Sequence, residues 1–229
     1  MTTWDQAALI SPPIRPMGGP SEPPIVNPIG HPIANQRVRL GIMASGSGSN
    51  FEAIVQAIHS GQLNAEVTVL IYNNPTATVV ERATRLNIPA ICLDHREFAT
   101  RELLDQAIVE VLVNYQADWV VMAGWMRIVT PVLINAFPNR VLNIHPSLLP
   151  SFKGSKAIEQ AFQSGVKITG CTVHHVVTEV DSGDIVMQAA VPVLTNDTLE
   201  TLQARLQIQE HKIYPAAIAI AVGQDIIEN

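Results

Sequence analysis

Val38-Arg39-Leu40-Gly41-Ile42-Met43-Ala44-Ser45-Gly46-Ser47-Gly48-Ser49-Asn50-Phe51 is the stretch that decides the fold class. Val38–Ala44 is a short apolar run of the kind that forms a buried strand. A run of small residues follows, and Asn50–His59 then has the pattern of a helix that closes near Gly61. A strand feeding a helix through a glycine-rich turn begins a βαβ unit. Small residues let the backbone approach a ligand closely, and a helix start favours an anion. The plainer alternative is a tight turn with no ligand. A dinucleotide fingerprint would put a third glycine where Phe51 stands and an acidic residue near Asn73-Asn74. Both are missing, which favours a monophosphate.

Outward from this unit the alternation continues. Val67–Tyr72 reads as a strand, Ala77–Leu86 as a helix, and Pro89–Leu93 as a strand. Arg101–Asn114 reads as a long helix that Phe98 and Leu103 help to bury. Trp119–Met122 is a strand, a short helix follows Thr130-Pro131, and Arg140–Ile144 is a strand. Such alternation predicts an α/β fold: a mostly parallel, twisted sheet with helices on both faces. Ligands in these sheets bind beyond the carboxyl ends of the strands, so the loops after Ala44, Met122 and Ile144 should share one crevice. The last third differs. Lys156–Gln163 reads as a helix capped by Ser155, Thr172–Val177 and Ile185–Val193 as an antiparallel ribbon on the sheet edge, and Thr198–Val222 as a closing helix.

The strand ending at Ile144 carries Asn143-Ile144-His145-Pro146. Successive side chains of a strand alternate faces, so Asn143 and His145 point the same way while Ile144 points into the core. Pro146 keeps His145 extended. A donor amide beside a titratable imidazole suits attack on a carbonyl: the amide stabilises an oxyanion and the imidazole moves protons. The acidic loop Thr178–Asp184 could bring a carboxylate to His145, which would favour the imidazolium. Spacing alone does not choose between Glu179, Asp181 and Asp184. His174 and His175 are adjacent in a strand and face opposite ways, so they cannot make a compact metal pair by themselves. No cysteine–histidine cluster suggests zinc, and no metal is expected.

The bulk numbers narrow the class. The 229 residues suit one large domain, and 47% hydrophobic content supports a sizeable core. A net charge of −6 with no basic run argues against nucleic-acid or membrane partners. Cys92 and Cys171 read as buried free thiols in a reducing compartment. No signal peptide and no membrane-length apolar run stand out, which favours the cytoplasm. Residues 1–36 hold half of the 16 prolines. They read as a disordered extension that forms neither ladder nor helix, leaving 37–229 as the folded domain.

With these residues in place, the chain from about Arg39 onward resembles the glycinamide ribonucleotide formyltransferases of purine biosynthesis. The resemblance rests on Ala44–Asn50, on Met122-Ala123-Gly124-Trp125-Met126-Arg127-Ile128, and on Asn143–Pro150. It extends to Thr172-Val173-His174 with Val180–Gly183, and to Gln209-Glu210-His211. It implies a Rossmann-like formyltransferase fold and a catalytic trio of Asn143, His145 and Asp181. It also implies that Gly48, Ser49 and Asn50 hold the phosphate of phosphoribosylglycinamide, with Glu210 helping to bind that ribonucleotide. Arg96, Met126, Arg127, Ile128, Val129 and Asn143 would bind 10-formyltetrahydrofolate, the co-substrate, and the loop around Val176–Asp181 would wrap its pterin.

Two positions depart from the family pattern. Trp125 stands where phenylalanine or tyrosine is common, and Lys153 replaces the proline of a common Phe-Pro-Gly. The expected partners are small molecules, and the expected assembly is a monomer or homodimer. The rivals are formyltetrahydrofolate deformylase, which would add an N-terminal regulatory domain, methionyl-tRNA formyltransferase, which would add a C-terminal RNA-binding domain, and a non-catalytic folate or nucleotide-binding module.

Overall fold

The computed structural model describes residues 9–10 and 37–224. Five strands run parallel: β2 (Val38–Ala44), β3 (Ala65–Tyr72), β4 (Ala90–Cys92), β5 (Trp119–Met122) and β6 (Val141–His145). Two more, β7 (Ile168–His175) and β8 (Ile185–Pro192), run antiparallel beyond β6. A two-residue strand, β1 (Leu9–Ile10), pairs antiparallel with β8 at Ala189 and Ala190. The sheet order is β1-β8-β7-β6-β5-β2-β3-β4. The expected parallel sheet with an antiparallel ribbon is therefore present. The expectation that nothing in residues 1–36 joins a ladder is corrected at Leu9–Ile10. The rest of that segment lies outside the described residues.

Helices cover both faces, because each buried strand needs an apolar layer above and below it. On one face α1 (Ser49–His59) and α6 (Leu199–Ala221) pack Phe51, Ile54, Ile213 and Tyr214 against Leu40, Ile42 and Val121. On the other, α3 (Arg101–Asn114) and α4 (Pro131–Ala136) pack Leu104, Ile108, Leu112 and Leu133 against Met43, Val69 and Val120. Phe98 packs on this second layer as expected. Leu103 does not. It is 45% exposed, because its position in the first turn of α3 faces away from the buried stripe of Leu104 and Ile108. Two shorter helices, α2 (Val79–Arg85) and α5 (Ala157–Ser164), complete the layers. The N-cap of α5 is Lys156 in the left-handed region, without a side-chain cap, rather than Ser155.

Two features aim the strand ends at the site. The fully buried Tyr214 hydroxyl donates toward the carbonyls of Met122 (3.1 Å) and Leu142 (3.3 Å), tying α6 to β5 and β6. Antiparallel register then sets Asn143 opposite His174 and His145 opposite Thr172. Among the described residues no helix is long and apolar enough to cross a membrane.

Candidate active site

A cavity of about 660 Å³ opens at the carboxyl ends of β2, β5 and β6. Its walls are Ser45–Asn50, Met122–Val129 and Asn143–Pro146, joined by parts of the 154–158 and 176–181 loops and by one side of α6. The three loops expected to share a crevice do so.

The glycine turn forms one end. Gly48 is the N-cap of α1 at φ 75°, a left-handed conformation that a side chain disfavours. A Cβ there would also lie 2.3 Å from Val79 Cγ2. Gly48 thus lets the loop close down on α2 and present the first-turn N–H groups of α1 to the cavity, where they suit an anion. Asn50 follows, and its amide donates to Glu210 Oε2 at 2.8 Å. Burial pushes the Glu210 carboxyl up, and the Asn50 bond offsets only part of that. Asn50 Oδ1 is buried without a partner, so the pair keeps an unused acceptor beside the cavity.

At the centre, Asp181 lies between two imidazoles. Its Oδ2 is 3.4 Å from His145 Nδ1, and its Oδ1 is 3.5 Å from His174 Nε2. Gly154 N–H donates to Oδ2 at 2.8 Å. Burial works to raise this carboxyl. The His174 bond, the Gly154 N–H and the nearby His145 outweigh it and hold Asp181 below the ordinary carboxylate range.

His145 Nε2 faces the Phe152 carbonyl at 2.8 Å. A carbonyl can only accept, so Nε2 carries a proton. The other nitrogen, Nδ1, faces the Asp181 carboxylate. His174 is held similarly, with Nδ1 donating to the His175 carbonyl at 2.8 Å. Its Nε2 also lies 3.2 Å from Asn143 Nδ2. A neutral His174 accepts from Asn143, whereas a protonated one donates to Asp181. His174 therefore links the amide to the carboxylate.

The third wall is Met126–Val129. Its start is tied to the glycine turn: Met126 N–H donates to Ser45 Oγ at 2.9 Å. Its end is held by the buried Asp105, which accepts the Thr130 N–H. Burial raises the Asp105 carboxyl, and the bonds from Thr130 oppose the rise. Met126 is 74% exposed and Ile128 53% exposed, an apolar lip that a flat ligand could cover. Trp125 Nε1 and Arg127 Nε are buried without partners.

Asn143, His145 and Asp181 are thus brought together, and Gly48, Ser49, Asn50 and Glu210 line the same cavity. Met126, Arg127, Ile128 and Val129 line it as well. Arg96 is not brought there. Its guanidinium forks onto Asp94 at 2.6 and 2.8 Å, on the exposed 3-10 turn His95–Glu97. The arginine beside Arg127 is Arg101, in a smaller polar recess of about 340 Å³. Sequence reasoning also missed His174 as a member of the centre. The signal that could have found it was the pairing of the ribbon with the Asn143 strand.

A family model described as formyl transferase matches residues 38–218. Phosphoribosylglycinamide formyltransferase of Bacillus subtilis is 39% identical over 81% of this chain and 95% of its own length. The human trifunctional purine biosynthetic protein adenosine-3 is 41% identical over 82% of this chain, which spans only 19% of that much longer protein. Among solved structures, glycinamide ribonucleotide transformylase 1 from Symbiobacterium toebii superposes with a TM-score of 0.80 at 45% identity. That match covers 84% of this chain and 92% of the other. Phosphoribosylglycinamide formyltransferase from Bacillus halodurans gives 0.79 at 46% identity, over 81% and 95%.

Proposed function

Because this chain belongs to the formyl transferase family, we propose that it moves a formyl group from 10-formyltetrahydrofolate to the amine of 5′-phosphoribosylglycinamide, as part of purine biosynthesis. The observation that carries this reading is one cavity lined by a helix start suited to an anion, by the apolar lip of Met126 and Ile128, and by Asn143, His145 and Asp181.

The acceptor's phosphate would rest on the N–H groups of Ser49 and Asn50, with Glu210 taking its ribose hydroxyls. The donor's pterin would lie against Met126–Val129 and the 176–181 loop. Arg101 and Arg127, rather than Arg96, would meet its anionic tail. This arrangement sets the amine against the formyl carbon and turns an encounter of two solutes into a step within one complex.

The amine lone pair attacks the formyl carbon, a C–N bond forms, and the carbonyl electrons move onto oxygen. The Asn143 amide donates to that oxyanion through the N–H not turned to His174, and His145 does so by exchanging the Phe152 carbonyl for the substrate oxygen at Nε2. Asp181 holds His145 oriented. A proton leaves the attacking nitrogen, and one is delivered to N10, by His145 or through water. The C–N10 bond then breaks, releasing tetrahydrofolate and the formylated ribonucleotide. We propose no metal or covalent enzyme intermediate. Cys171 is buried as expected but Cys92 is exposed, and two free thiols accord with a cytoplasmic setting.

The test is consumption of 10-formyltetrahydrofolate with and without phosphoribosylglycinamide. Consumption that requires the acceptor supports transfer. Equal consumption without it would assign a hydrolase instead, and none at all would assign a binding module.

A further inference from the structure

We propose that Lys153 is a positioning residue: with Gly154 it latches the loop that carries Asp181 into its working conformation. The proposal rests on the transfer reading above and extends it to a residue outside the cavity wall.

Asp181 sits at φ 49°, a left-handed conformation that costs a non-glycine residue energy and persists only where its surroundings impose it. Two neighbouring residues of the facing loop impose it. Gly154 N–H holds the side chain, donating to Asp181 Oδ2 at 2.8 Å. Lys153 holds the backbone. Its Nζ donates to Ser182 Oγ at 2.6 Å, and that hydroxyl donates onward to the Val180 carbonyl at 3.0 Å. The relay spans the residues on either side of Asp181. Glu179, 3.7 Å from the same Nζ, adds a weaker charge contact from the same loop.

Lysine is flexible, so the latch exists only while its ammonium is bonded, and both it and Glu179 are accessible to salt. Salt and the Lys153 side chain should therefore act on the same step.

The experiment measures steady-state transfer for the full chain and for Lys153→Met, Lys153→Arg, Ser182→Ala and the Lys153→Met/Ser182→Ala double variant. The expected result is a roughly three- to sixfold lower kcat in Lys153→Met, the scale of an accessible bonded ion pair, with both KM values within about twofold. Lys153→Arg should restore most of the loss, because it can donate to the same hydroxyl. Adding Ser182→Ala to Lys153→Met should cost little more, since both break one relay. Raising salt from about 20 mM to about 0.5 M should lower wild-type kcat toward the Lys153→Met value and leave that variant flat. Wild-type kcat in Lys153→Met would overturn the proposal, as would equal losses in the Met and Arg variants. Absence of transfer by the unmodified chain would instead overturn the transfer reading.

Discussion

Asp181 Oδ2 lies 3.4 Å from His145 Nδ1, with both side chains almost fully withdrawn from solvent. The carboxylate is held below its ordinary range although burial opposes this, so its neighbours stabilise the ionised form in the folded protein. A carboxyl lowered on folding contributes stability that is present above its unfolded value of about 3.9 and is lost as pH falls through the folded value.

Asp181→Asn should therefore melt below the wild type between about pH 5 and 7, and the gap should close as pH drops below about 3.9. Melting temperatures of the two proteins across that range check this. A gap that stays constant down to the acid limit would contradict the assigned ionisation.

Glu210 predicts the opposite sign. Its carboxyl is raised by burial, so its contribution is present below about 4.3 and is lost as pH rises through the folded value. Glu210→Gln should gain on the wild type in melting temperature as pH rises from 4 to 8, by roughly 2 °C or more. The same variant should weaken acceptor binding, seen as a raised acceptor KM with the donor KM nearly unchanged. A melting difference independent of pH would count against a buried, only partly compensated carboxylate.

Gly48→Ala should damage the acceptor end. The left-handed φ of 75° and a Cβ 2.3 Å from Val79 Cγ2 together should cost roughly 1–3 kcal/mol. Gly61→Ala has a similar φ of 79° but no neighbour within 4 Å, so it should cost less. Chemical denaturation of both variants separates crowding from backbone strain. Equal losses would mean that contact with Val79 contributes nothing.

Much of this site was legible before any coordinates. Alternation along Val141–His145 set Asn143 and His145 on one face, and the strand-end rule gathered three distant loops. Both follow from local periodicity. The residues that escaped depend on register and loop folding. His174 looked unremarkable as one of two adjacent histidines, and only the pairing of β6 with β7 sets it against Asn143. Asp181 could not be separated from Glu179 or Asp184 by spacing, because its selection depends on a left-handed turn. Arg96 and Arg101 stand close in sequence, but Arg96 is held by Asp94 while Arg101 lies beside Arg127. Asp105 carried no signal at all, since its role depends on where Thr130 falls in space.

The most direct measurement is the rate of formyl transfer to phosphoribosylglycinamide by the wild type and by His145→Asn, with both substrates saturating. The account expects acceptor-dependent release of tetrahydrofolate by the wild type. It expects a turnover lower by roughly 10² or more in the variant, with little change in either KM. Near-normal turnover in His145→Asn would contradict it.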